Sequence, residues 1–167
     1  MSRATLPVAF LRSPLARVAA TLVVTVLLSG QSYTVADLDA DFERDVIVIS
    51  ASEHACYRFD VWLALTSRQF SRGLMHVRDL PDDAGMLFVY AQPGDRSMWM
   101  KNTYLPLDIL FIRNDGIVSS IERHTEPLSL RSISSIEPVS LVLELNAGTA
   151  DRLKIGADNQ IYWFNVP

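Results

Sequence analysis

The sequence predicts a mainly β domain, a single sandwich or partly closed barrel of roughly eight strands with two short helices. Two kinds of observation lead there. Short apolar or β-branched runs recur at close spacing, one of them with a clear period of two. Clusters of Pro, Gly, Asp and Asn punctuate them as turns, with two helix-capping patterns between.

Val46–Ile49 is a short β-branched run. From Tyr57 to Leu65 the chain alternates, with Tyr57, Phe59, Val61, Leu63 and Leu65 on one side and Arg58 and Asp60 on the other, which is the pattern of a half-buried strand. Thr66-Ser67-Arg68-Gln69 then reads as a capping box, in which the Thr66 hydroxyl accepts from the Gln69 amide and the Gln69 side chain reaches back. A turn or two of helix should follow and close at Gly73, where glycine tolerates a positive φ. Leu74 and Met75 are expected to enter the core, and Leu80-Pro81-Asp82-Asp83 to turn the chain.

Gly85–Tyr90 is a strand by composition, ended by Gln92-Pro93-Gly94; Arg96–Lys101 and Leu107–Ile112 are predicted as two more. Asn114-Asp115-Gly116 joins Leu107–Ile112 to Ile117–Glu122 as a hairpin, because Asp-Gly accepts the positive φ of such turns. Leu141–Leu145 is strand-like, Gly148-Thr149 starts a short helix through Leu153, and Gln160–Phe164 is the last strand.

The N-terminal stretch has another character. Arg3, Arg12 and Arg17 precede the apolar run Val18–Leu28, and no acidic residue occurs before Asp37. A run of 11 residues is too short for a membrane span, which takes about 20, but it suits a secretory leader behind a basic segment. Residues 1–36 are therefore expected to be a signal peptide, cut after Ala36 or near Ser29-Gly30-Gln31, with an uncleaved N-terminal anchor as the alternative. Either places the domain outside the cytoplasm, periplasmic or extracellular. The acidic stretch 37–45 reads as a linker, leaving residues 46–167 as the β-rich domain.

Of the 15 Lys and Arg residues three precede Asp37, so from there on the charge against 19 Asp and Glu is −7. Such a surface repels phosphate backbones, and nucleic acid is not an expected partner. The single cysteine, Cys56, rules out an intramolecular disulfide and is expected to pack as a small buried hydrophobe. His54, His76 and His124 lack metal-ligand spacing, so neither a metal nor a cofactor is expected.

The polar residues out of place lie in and around Ser97–Ile112. In Leu107–Ile112 both faces are apolar apart from Asp108, so this carboxylate sits in or beside a core and requires a partner. Lys101 and Asn102 are nearest across a short loop, and Arg72 is a third candidate. They make either a structural ion pair or a shallow pocket. In the pocket reading Arg72 and Lys101 hold a small polar, anionic or polyhydroxylated ligand, Asn102 supplies hydrogen bonds, Asp108 orients Lys101 and Trp99 forms a flat wall. No Gly-x-Ser-x-Gly elbow, P-loop or dinucleotide fingerprint is present. Asp108 and Glu122 lie on hairpin-linked strands and allow a glycosidase-like acid/base pair as a rival. A ligand-free structural envelope protein is a third reading.

Arg72-Gly73-Leu74-Met75, Gly85-Met86-Leu87-Phe88, Trp99-Met100-Lys101-Asn102-Thr103, Pro106-Leu107-Asp108 and Val142–Thr149 follow one another in an order that resembles domain-of-unknown-function family 192. The resemblance runs from about Val46 to Phe164. It implies one β-rich, sandwich-like domain, often behind a bacterial export signal, and it implies no activity. The family's polar signature falls on Arg72, Lys101, Asn102 and Asp108.

Overall fold

A computed structural model describes residues 34–164. The elements run α1 (Val35–Asp41), β1 (Glu43–Ser52), β2 (Ala55–Ala64), α2 (Ser67–Arg72), β3 (Ala84–Gly94), β4 (Ser97–Met98), β5 (Leu107–Ile112), β6 (Val118–Glu122), β7 (Ile133–Ser134), β8 (Val139–Asn146), α3 (Thr149–Arg152) and β9 (Gln160–Trp163). Seven strands form one sheet in the order β6-β5-β8-β3-β2-β1-β9, and β4 and β7 form a separate two-stranded ribbon. All pairings are antiparallel except β2 with β3, whose crossover contains α2. The sheet curls until its two edges meet: Ile117 bridges Gln160, Val118 N donates to Asn159 O at 2.9 Å and Ile161 N donates to Gly116 O at 2.8 Å. The result is the partly closed barrel expected from the sequence.

The period-two alternation of the strands builds two cores. Inside the curl lie Ile47, Ile49, Phe59, Val61, Leu63, Leu87, Leu110, Ile112, Leu143, Leu145 and Ile161, closed by Ala150 and Ile155. On the outer face Trp62, Met86, Phe88, Leu107, Ile109, Phe111 and Val142 are covered by α1, by the chain after α2 and by the β4–β7 ribbon, through Leu38, Phe42, Leu74, Val77, Met98, Met100 and Ile133. Burial of each large side chain in these layers contributes about 1.5–3 kcal/mol. Strand β5 has both faces covered, and all six of its residues are buried.

Local signals fare well. Gln69 N donates to Thr66 Oγ1 at 3.3 Å, Thr66 N donates to Gln69 Oε1 at 3.0 Å, and α2 ends at Gly73 with φ 47°. Gly116 in the β5–β6 turn has φ 81°, and Gly148 precedes α3 with φ 82°.

Three expectations are corrected. Residues 37–45 are no linker: they belong to α1 and the start of β1. Asp37 reaches back to the Thr34 N–H at 2.7 Å and hydroxyl at 2.9 Å, and Leu38 and Phe42 enter the core. Trp62 Nε1 further donates to Asp39 Oδ1 at 2.8 Å. Acidic residues lie on the exposed side of a short amphipathic helix here, and its few apolar positions do the docking. Cys56 is exposed, not buried, because it shares the outward side of β2 with Arg58. Arg96–Lys101 is strand only at Ser97–Met98, and its partner is β7, not β5. Apart from Thr34–Ala36, the residues expected to form the leader lie outside the described ones.

Candidate functional site

The five residues singled out from the sequence do not form one cluster. Asp108 points into the curl of the sheet, away from the outer face where the other four lie. It is fully buried, and its Oδ1 accepts from His124 N at 3.0 Å while Oδ2 accepts from Ala150 N at 2.9 Å. The Asp108 carboxylate has the polar partners that its burial requires, and they are backbone amides. Lys101 is not oriented by Asp108.

Arg72 pairs with Asp41 and lies over the Phe42 ring at 5.2 Å, lining a hollow with Asp41, Phe42, Thr66, Arg68 and Gln69. Trp99 lines another. Asn102 occupies a left-handed turn with φ 54°; its carbonyl accepts from His76 N at 2.9 Å, and its Nδ2 lies 3.9 Å from Met75 Sδ. Asn102 thus ties the loop after β4 to the loop after α2. Glu122 pairs across the sheet with Ile109, one position from Asp108, so the two carboxylates fall on opposite faces. Arg131 binds Glu122. The glycosidase-like pair is not assembled.

Trp99 and Lys101 do come together. Lys101 Nζ is 5.0 Å from the centroid of the Trp99 ring, and Trp99 is 48% exposed although both its neighbours, Met98 and Met100, are buried. The β4–β7 ribbon explains this. Met98 and Ile133 face each other across it and anchor it in the outer core, which turns Trp99 outward. Beside Trp99 lies a hollow of about 250 Å³ walled by Leu130 and lined by the hydroxyls of Ser97 and Ser132, whose oxygens are 2.6 Å apart. Ser132 also lines a neighbouring hollow of about 250 Å³, reached by Ser120, Ser134, Arg131, Glu122 and Ile136. Ser120 Oγ is buried with no hydrogen-bond partner among the described residues. Both hollows touch Ser132; the Trp99 indole lines one, the Arg131–Glu122 pair the other, and serines line both.

The sequence reading missed Glu144. It lies on the outer face of β8 between Met86 of β3 and Ile109 of β5, is 4% exposed, and its Oε2 has no hydrogen-bond partner among the described residues. Burial pushes its carboxyl up to about 8. Tyr90, on the same face of β3, is also raised, first by burial; the Arg96 charge, with Cζ 3.9 Å from the Tyr90 ring centroid, opposes this. The signal was available: Glu144 is flanked by leucines, just as Asp108 is flanked by apolar residues.

Comparison with known proteins agrees with this architecture. A Sinorhizobium meliloti protein, provisionally described as a transcription regulator, is 39% identical; the match covers 72% of this chain and 94% of that one with a TM-score of 0.71. A protein of unknown function from Novosphingobium aromaticivorans is 29% identical, over 80% of this chain and 91% of its own, with a TM-score of 0.72. No curated protein matches. The model of DUF192, described as an uncharacterized ACR, matches residues 47–163, and the chain accordingly belongs to domain-of-unknown-function family 192.

Proposed function

We propose that this is an exported, non-catalytic binding domain whose ligand is a saccharide held in the groove between Trp99 and Arg131. The observation that carries the reading is the half-exposed Trp99 beside a line of serine hydroxyls. A sugar ring offers an apolar face to an indole and a rim of hydroxyls to serines, so one surface satisfies both. Lys101 on the Trp99 ring adds a positive charge and favours an acidic sugar over a neutral one. Arg72 and Asn102 hold the supporting loops, and Asp108 serves the fold.

Export rests on the basic, then apolar, leader. A cut near Gly30 is favoured over one after Ala36, because Thr34 caps α1 and a cut after Ala36 removes both the cap and the first helical residues. The regulator description of the Sinorhizobium relative is not carried over, since a domain of charge −7 opposes DNA.

The test is a glycan array and calorimetric titration of the full chain with neutral and uronic-acid-containing oligosaccharides. Expected are saturable binding, loss of at least about tenfold in affinity in Trp99→Ala, and a loss in Lys101→Ala confined to the acidic glycans. Absence of binding to every glycan, or a Trp99→Ala variant that binds like the parent, overturns the reading.

A further inference from the structure

A larger hollow than the two beside Trp99 lies elsewhere among the described residues. At the mouth of the half-barrel, where the ends of β3, β8 and β9 meet the β5–β6 turn, a cleft of about 420 Å³ opens between Tyr90, Tyr162, Trp163 and Phe164 over a floor that includes Leu141 and Ile161. This volume falls in the range of small-molecule sites, which concentrate at the mouths of β-barrels.

The chemistry of the lining is selective. Asp115 is the one charged residue in it, and its carboxylate is already occupied by Arg113 Nη2 at 3.1 Å and Ile117 N at 3.1 Å. Trp163 Nε1 is taken by Asp45 at 2.6 Å. Two amide groups retain free valences. Gln160 donates both its bonds, to Asp115 O and Ile161 O at 3.0 Å each, which leaves Oε1 as an acceptor with no partner among the described residues. Asn114 Oδ1 accepts from Ser140 Oγ at 3.2 Å, which leaves Nδ2 as a donor with none. The rim carries Phe164, 76% exposed, with its ring nearly parallel to that of Tyr162 (10°) at 6.4 Å between centroids.

We propose that this cleft is a second binding site, for an uncharged, ring-bearing small molecule that offers one hydrogen-bond donor and one acceptor. Aromatic walls and an apolar floor supply the area, and the Gln160 and Asn114 amides orient the ligand without charge. The lining itself offers no unpaired charge to replace the hydration that a charged ligand would lose.

The probe is N-phenyl-1-naphthylamine, a neutral fluorophore, against its sulfonated analogue 8-anilinonaphthalene-1-sulfonate, each titrated into the full chain. Expected are saturable one-to-one enhancement with the neutral probe and binding of the sulfonate at least about tenfold weaker. Phe164→Ala removes part of the wall, and Ala91→Trp fills the mouth from an exposed rim position. Each is expected to weaken the neutral probe at least about fivefold, while Trp99→Ala leaves it unchanged. Equal or tighter binding of the sulfonate, or unaltered binding in both cleft variants, overturns the proposal. Because the saccharide groove is read through Trp99 and the cleft through Phe164 and Ala91, failure of one leaves the other standing.

Discussion

Asp108 Oδ2 accepts the backbone N–H of Ala150 at 2.9 Å, while Oδ1 accepts that of His124 at 3.0 Å. One side chain thereby fastens the first turn of α3 and the exit of β6 to the middle of the sheet. Amides so bound are satisfied only while the acceptor is there. Asp108→Ala leaves buried donors unbonded, and the expected loss is about 2–5 kcal/mol, read as a drop in the urea midpoint. Asp108→Asn presents an NH2 to one of two donors and recovers only part of that. Neither variant is expected to alter saccharide or probe affinity once folded, which separates a structural carboxylate from a site residue.

Glu144 gives the domain a pH dependence of unusual sign. Its folded carboxyl is pushed from 4.5 up to about 8 by burial, so between those values the unfolded chain is ionised while the folded one holds the proton. The unfolded state then binds fewer protons, and stability falls as pH rises, with a limiting slope of about 1.4 kcal/mol per pH unit. The contribution is complete below 4.5, declines up to about 8 and is flat beyond. Asp37, Asp115 and Asp151 are shifted the other way. Their chief causes are the Thr34 N–H for Asp37, the Arg113 side chain for Asp115 and the His124 side chain for Asp151, and what they add is lost only in acid, outside this window. Denaturant unfolding at pH 5 and pH 8 is expected to show the parent markedly weaker at pH 8, and Glu144→Gln and Glu144→Met nearly level. A parent as stable at pH 8 as at pH 5 contradicts the assignment.

Gly73 closes α2 at φ 47°, ψ −137°, and a methyl group there would stand 3.1 Å from the Phe88 ring. Gly73→Ala is expected to cost about 1–3 kcal/mol, from backbone strain and from the displaced ring. Asn does not rescue it, since the ψ lies outside the left-handed helical well that Asn tolerates. Thermal melts of both variants check this. Rescue by Asn would show that the turn relaxes to an ordinary helix cap.

Much of the fold was legible in the residues because it is decided locally. Alternation marked β2, an Asp-Gly turn located the β5–β6 hairpin, and Thr66 with Gln69 bounded α2. In each the interacting groups lie within a few positions of one another. Of the site, only the closeness of Lys101 to Trp99 has a local cause, two positions along one loop; the outward turn of Trp99 comes from the pairing of Met98 with the distant Ile133.

Residue chemistry alone requires polar partners for Asp108 and covers β5 on both faces. Which partners these are, and which face each side chain takes, follows from the folding of the sheet. Alternation sorts side chains into two sets without saying what packs on each, and every residue except proline carries a backbone N–H, so no composition distinguishes the donors at His124 and Ala150 from others. On the opposite face Glu144, as anomalous in its strand as Asp108, keeps its Oε2 without a hydrogen-bond partner among the described residues.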